Sequence, residues 1–353
     1  MKVLLHIGVW KTGSSAIQIF LGRNRDALRE RGLIWPAHAV RRDGHNAIVH
    51  SLRENDDARL DRLLGAARAE ARGRRDATVV VSSEHLWPLD RRRLKRLAGK
   101  LAGDEVKVLA YIRPQEEMWA SLYAQQAKAY RITEDTPLWG DASFLGKRLV
   151  EHGLYFGATM NGFRRIFGEI DVRRYDRRRL AGGDAVVDFL GAAGLDDLSG
   201  LDLSRSEANP SFGWKGVGFA MWCAEALNQR GLTGRERLLK KRLLASTVKE
   251  MAATTGDTAW MGKAPVYLDN DDRAAIRAHY AADEALLSAR FFGGAPVWPD
   301  LKSVEPAPFG PQALPPEELE TAQDLFRARL SRNRALRLLD AVRVRLPKPR
   351  RGG

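Results

Sequence analysis

The sequence predicts an α/β protein with a central, mostly parallel sheet, and three observations carry that prediction. Strand-like apolar segments alternate with helix-like segments along residues 2–193, the pattern that strand–helix–strand units produce. The first apolar segment, Val3-Leu4-Leu5-His6-Ile7, runs through Gly8 into a short loop and then into an amphipathic stretch opened by Ser14 and Ser15. Residues able to do chemistry follow directly after strand candidates, where open parallel sheets bind their ligands.

The elements follow in order. Strands are expected at 2–7, 77–83, 105–112 and 169–175, each a short apolar or β-branched run. Helices are expected at 15–31, 56–73, 89–101, 115–130, 155–167 and 184–193, from apolar positions recurring at helical spacing. Residues 209–290 read as mainly helical additions to the α/β part, so 1–292 is taken as one domain. Residues 293–316 are rich in proline and glycine and read as a connector. Residues 317–353 carry a helical apolar stripe (Leu325, Phe326, Leu330, Leu336, Leu339, Val342, Leu346) and end in a basic tail.

The 353 residues carry a net charge of +14 and a single cysteine, Cys223. One cysteine excludes an intramolecular disulfide and any zinc site of several thiolates; within Phe219-Ala-Met-Trp-Cys-Ala it reads as a buried, inert thiol. No run approaches the roughly 20 apolar residues of a membrane span, and the opening residues lack a secretory leader pattern. The expectation is a cytoplasmic protein. From Arg327 to Arg351 there are ten basic residues and one acid, so much of the excess charge sits in the tail. A basic amphipathic helix there suits a membrane surface, and equally packing on the preceding domain or on a second subunit.

The loop Trp10-Lys11-Thr12-Gly13-Ser14-Ser15 is an anion cradle. Unpaired N–H groups at a helix N-terminus face a bound anion, the helix dipole favours its charge, and Lys11 adds a full positive charge. The order of residues is not that of a Walker A loop, which places lysine directly after its second glycine; here Lys11 precedes Gly13 by two. The loop is P-loop-like, and a three-layer sandwich is the expected architecture. A small-molecule kinase and a basic nucleic-acid-binding protein are the rival readings. The first lacks its Gly-Lys pair. The second lacks aromatic residues interleaved with the basic ones in the tail.

Lys11-Thr12-Gly13-Ser14-Ser15-Ala-Ile-Gln18 resembles the 5′-phosphosulfate loop of sulfotransferases that use 3′-phosphoadenosine-5′-phosphosulfate. A second stretch strengthens the resemblance: Arg113 follows the strand at 105–112, and Ser121 follows eight residues later on the next helix, the family's spacing for gripping the donor's 3′-phosphate. Proline follows Arg113 directly, where the family more often has an intervening residue. The match covers about residues 1–130 and is thinner beyond, resting on Phe167-Gly168, 170–175 and Asp188-Phe189-Leu190. It implies a sulfotransferase similar to bacterial carbohydrate sulfotransferases. The donor is then held by Lys11, Thr12, Gly13, Ser14, Ser15, Arg113 and Ser121, no metal is required, and the acceptor is a hydroxyl compound, a sugar or glycolipid.

Sulfuryl transfer needs positive charge on the leaving phosphate and a base for the acceptor proton. Lys11 suits the first task. For the base, Glu84 in Ser82-Ser83-Glu84-His85 is the expected residue, at the ligand end of its strand, with His85 as the alternative. His45, His85 and Trp10 are candidate acceptor contacts. His45 and His50, five apart, do not share a helix face, so no metal site is expected there. His6, inside the first strand, reads as a packed residue. Trp87, Trp119 and Tyr123 read either as stacking platforms or as packing.

Overall fold

The computed structural model describes residues 1–333 except 42–43, 75, 134, 137–153, 205–210, 228–233, 263–264 and 300–304. The chain forms two compact units. The first comprises Met1–Gln115, Leu154–Ala208 and Ala278–Leu301; the second comprises Glu116–Gly153, Asn209–Arg277 and Lys302–Gly353.

The first unit is an α/β body on a five-stranded parallel sheet: β1 (Lys2–Ile7), β2 (Leu33–Ile34), β3 (Thr78–Ser83), β4 (Glu105–Ile112) and β5 (Ile170–Arg174). The spatial order is β2-β3-β1-β4-β5. β1, β3 and the second half of β4 are buried, as near-continuous apolar strands covered on both faces must be. β1 lies between β3 and β4, so the chain turns to opposite sides of it. That makes the end of β1 the topological switch point, where open α/β sheets leave a ligand crevice.

Helices α1 (Ser14–Arg23), α2 (Arg25–Glu30), α3 (Asn46–Glu54), α4 (Asp57–Ala71), α5 (Arg91–Lys100), α7 (Phe156–Phe167) and α8 (Ala185–Ala192) belong to this unit. Between α5 and α7, α6 (Gln115–Lys128) starts here and continues into the second unit. The apolar faces of α1 and α8 (Ile17, Phe20, Leu21, Phe189, Leu190) share a core with Leu4, Val80 and Leu109. The single helix expected at 15–31 is two helices broken at Asn24. Its side-chain amide donates to Phe20 O and Asp202 O, both at 3.1 Å, and its oxygen accepts from Asp202 N at 2.7 Å. A side chain competing for backbone groups in this way ends a helix. The other expected strands and helices of this unit form within two residues of their expected bounds. β2 and α3 were not anticipated.

The second unit is helical: α6 from Glu116, α9 (Trp214–Ala226), α10 (Gly234–Thr255), α11 (Asn270–Phe291) as far as Arg277, and α12 (Pro316–Arg332). Cys223 is fully buried and its thiol is pushed well up by burial. The helix expected from residue 317 forms as α12, and its apolar face is buried inside this unit. Ala322 and Phe326 are fully buried, Phe326 meets Phe219 edge-on at 6.0 Å, and Glu318 accepts from Lys215 Nζ at 2.5 Å and from Trp260 Nε1 at 2.7 Å. That part of the stripe faces protein rather than a membrane. Residues 334–353, with most of the basic tail, lie outside the described residues. No described helix is long and apolar enough to cross a membrane.

Candidate active site

Every described strand of the sheet runs parallel, so the loops after β1, β3, β4 and β5 emerge at one edge. Lys11, Glu84, Arg113 and Tyr175 come from those four loops in turn. Lys2–Ile7 pairs with Thr78–Ser83 on one side and Glu105–Ala110 on the other, which brings the starts of the first two loops together. A Cβ added to Gly8 would lie 3.2 Å from Glu84 N and 2.7 Å from Ser14 Oγ. Only glycine permits that approach.

The loop after β1 is held open by its own chemistry. Thr12 Oγ1 donates to Val9 O at 2.6 Å. Lys11 has φ 65° and Gly13 φ 80°. The left-handed conformation costs a lysine about 1–2 kcal/mol, and strain of this kind gathers at ligand-binding loops. Gly13 then caps α1 without a side chain, so the first N–H groups of the helix have no intrahelical acceptor. Ser14 is buried, and among the described residues its hydroxyl has no hydrogen-bond partner. A cradle of this shape, with a buried donor aimed at no protein group, fits a bound oxyanion.

Arg113 reaches back to this loop. Its Nη1 donates to Lys11 O at 3.2 Å, and its guanidinium lies 6.0 Å from the centre of the Tyr175 ring. Tyr175 extends the β4–β5 ladder by donating its N–H to Ile112 O at 2.6 Å, and its ring covers Gly13: a Cβ there would sit 3.0 Å from Tyr175 Cε2. Tyr175 is a site residue that the sequence does not single out. Its place directly after a strand was the available signal.

Beneath the cradle is a buried polar network. Gln18 Nε2 donates to Ser82 Oγ at 3.0 Å, and Ser82 Oγ pairs with His6 Nδ1 at 2.8 Å. The network ties α1 to the ends of β1 and β3. Burial drops the His6 pKa to about 3, which keeps the ring neutral, and it packs edge-on against Tyr111 and Phe189.

Glu84 and His85 are half-buried in a short 3₁₀ turn at the end of β3. Ser83 orders that turn: its hydroxyl accepts from His85 N at 3.2 Å and donates to Asn46 Oδ1 at 2.5 Å. The His85 and His50 rings are 6.4 Å apart. His45 has a structural place. It is fully buried, its Nδ1 accepts from Ser82 N at 3.1 Å, and its Nε2 donates to Pro36 O at 3.0 Å. Burial lowers its pKa to about 4. With both nitrogens engaged, the ring clamps a loop to β3, and no ring nitrogen is left for an acceptor. Trp10 is half-buried beside Lys11, and Trp87 is buried edge-on to Phe156 at 5.5 Å.

Ser121 belongs to the second unit, buried on α6. In that unit Trp119 and Tyr123 are also buried. Glu116 is buried there and held by Arg273 and Arg277. Among the described residues no three His, Cys, Asp or Glu side chains gather as a metal site.

No family model and no curated protein matches the sequence. Among solved structures, the chain is similar to the crystal structure of a sulfotransferase from Alicyclobacillus acidocaldarius. The identity is 12%, over 82% of this chain and 95% of the other, with a TM-score of 0.36.

Proposed function

We propose that the protein is a sulfotransferase that moves a sulfuryl group from 3′-phosphoadenosine-5′-phosphosulfate to an acceptor hydroxyl. The observation that carries this reading is the loop Lys11–Ser15. It combines a lysine in the left-handed conformation, a glycine-capped helix N-terminus and a buried serine hydroxyl without a partner among the described residues. The order of residues in that loop is the one that resembles the sulfotransferase donor loop.

In the proposed reaction the acceptor oxygen attacks sulfur in line with the bond to the 5′-phosphate. The sulfur–oxygen bond to the phosphate breaks, and 3′-phosphoadenosine-5′-phosphate leaves with the bonding pair. Lys11 and the first N–H groups of α1 take up the charge growing on the leaving phosphate; losing one such group costs on the order of a hundredfold or more in rate. Ser14 and Ser15 add hydroxyl donors. Arg113 and Ser121 are the proposed grip on the 3′-phosphate, a guanidinium being suited to two parallel hydrogen bonds. Glu84 takes the acceptor proton, and His85 is the next candidate. The lysine, arginine and helix dipole supply the positive charge that a magnesium ion supplies in kinases, so the reading includes no metal. The proposed acceptor is a carbohydrate or glycolipid met in the cytoplasm.

The test is transfer itself. Donor and a panel of hydroxyl acceptors are incubated with the protein in chelator, and products are weighed for a gain of about 80 mass units. Glu84→Gln should keep donor binding and lose transfer by the 10²–10⁴-fold that a general base contributes. Transfer of phosphate from ATP, with no sulfated product across the panel, would replace this reading with a kinase.

A further inference from the structure

The second unit contains a cluster that the proposed reaction does not use. Glu116, in the first turn of α6, is 3% exposed and is bonded by two arginines of α11. Arg277 Nε donates to Glu116 Oε1 and Oε2 at 3.2 and 3.1 Å, and Arg277 Nη2 donates to Oε1 at 2.9 Å. Arg273 Nη2 donates to Oε1 at 3.0 Å. The carboxylate is thereby saturated, while Arg273 is not. Its side chain is 4% exposed, yet among the described residues Nε and Nη1 have no hydrogen-bond acceptor. Buried donors left unmade cost about 1–3 kcal/mol each, more when charged, and a buried guanidinium calls for an anion with spare lone pairs.

The surroundings point the same way. Glu116, Ala120 and Tyr123 are spaced i, i+4, i+7 on α6, and so share one face. Ala120 and Tyr123 line a narrow, tightly packed crevice together with Trp119, Tyr267 and Leu268. Among the described residues the hydroxyl of Tyr267, six positions before Arg273, is a further buried group without a hydrogen-bond partner. Arg277, 40% exposed, gives the cluster an opening to solvent.

We propose that Arg273 and Arg277, aligned by Glu116, form a binding subsite for an oxyanion: a carboxylate, phosphate or sulfate carried by a small organic ligand. Glu116 acts as a positioning residue that sets the two guanidiniums. The rival account is a closed structural triad, which such arginine–glutamate clusters also form. Two sources can supply the anion, the nucleotide donor or an acidic acceptor.

Arginine Nε–H resonances of the full-length protein, followed during titration with sodium sulfate at constant ionic strength, decide between these accounts. The Arg273 signal is identified by sequential resonance assignment of the wild-type protein and checked by its loss in Arg273→Lys. Lys11→Ala is titrated alongside, to remove binding at the strand-end loop. The proposal expects a saturable shift of the Arg273 signal in both wild type and Lys11→Ala, with the midpoint raised at least about tenfold in Arg277→Gln (about 1.4 kcal/mol). Arg277 is half-exposed, so this variant reports even if Arg273→Lys fails to fold. No shift, a shift reproduced by chloride, or a midpoint unchanged in Arg277→Gln overturns the proposal. Competition by 3′-phosphoadenosine-5′-phosphate assigns the site to the donor, and competition by glucuronate assigns it to an acidic acceptor. Displacement by neither at millimolar concentration overturns the claim of an organic ligand. Sulfate binding needs no sulfuryl transfer, so this proposal and the proposed function fail separately.

Discussion

Arg113 Nη1 donates to the carbonyl oxygen of Lys11 at 3.2 Å, so the residue proposed to grip one end of the donor also braces the loop proposed to grip the other. A lysine at φ 65° holds that conformation only while its surroundings insist on it. Arg113 is one of those constraints, and Tyr175 over Gly13 is another.

Arg113→Ala is therefore expected to weaken binding of 3′-phosphoadenosine-5′-phosphate and to slow turnover, each by about tenfold or more. Lys11→Ala should lower turnover far more than affinity, because its charge is best used as the leaving phosphate develops. Calorimetry and steady-state kinetics on both variants check this. An Arg113→Ala enzyme with full turnover at saturating donor would show that the brace does not matter.

Gly13→Ala should destabilise the fold by about 1–2 kcal/mol, the cost of a side chain in the left-handed region, with the Tyr175 ring adding to it. Gly65→Ala is the control: this glycine lies within α4 with nothing within 4 Å of an added Cβ. It should stabilise by about 0.5–1 kcal/mol, as replacing glycine in a helix interior does. Urea unfolding reads both, and opposite signs are the expected result.

Ser82→Ala removes the hydroxyl between Gln18 and His6. The amide and the ring nitrogen then stay buried without that partner, at an expected cost of about 1–3 kcal/mol. A loss below about 0.5 kcal/mol would mean that water or a rotamer change repairs the network.

His6 and His45 set a pH dependence. Burial lowers their folded pKa values to about 3 and about 4, while the unfolded histidine titrates near 6.5. Between those limits the unfolded chain binds more protons, so stability is complete above about pH 6.5 and falls as the pH drops toward 4. The slope approaches about 1.4 kcal/mol per pH unit for each histidine. Unfolding free energies at pH 7.5, 6.0, 5.0 and 4.5 should show the decline, and His45→Asn should flatten it.

The parallel sheet was legible because burial on both faces leaves apolar runs that polar loops punctuate, as in Val79-Val80-Val81 before Ser82. The cradle was legible because its order of lysine, glycine and hydroxyls is local. What escaped depends on long-range partners. β2 is two residues long, too short for any period. The break at Asn24 is made by Asp202, 178 residues away. His45 was expected at the acceptor side because the resemblance puts a histidine-bearing segment there; only the fold shows that Pro36 O and Ser82 N engage both its nitrogens. The same limit hid the pairing of Glu116 with Arg273, 157 positions apart.

The central claim is that the loop Lys11–Ser15 binds the 5′-phosphate end of 3′-phosphoadenosine-5′-phosphosulfate. Titration calorimetry of the full-length protein with 3′-phosphoadenosine-5′-phosphate, in chelator and without added metal, tests it most directly. The account predicts saturable one-to-one binding, tighter than that of ATP under the same conditions and weakened by Gly13→Ala. Absence of binding at millimolar nucleotide, or binding that appears only with ATP and magnesium, would contradict it.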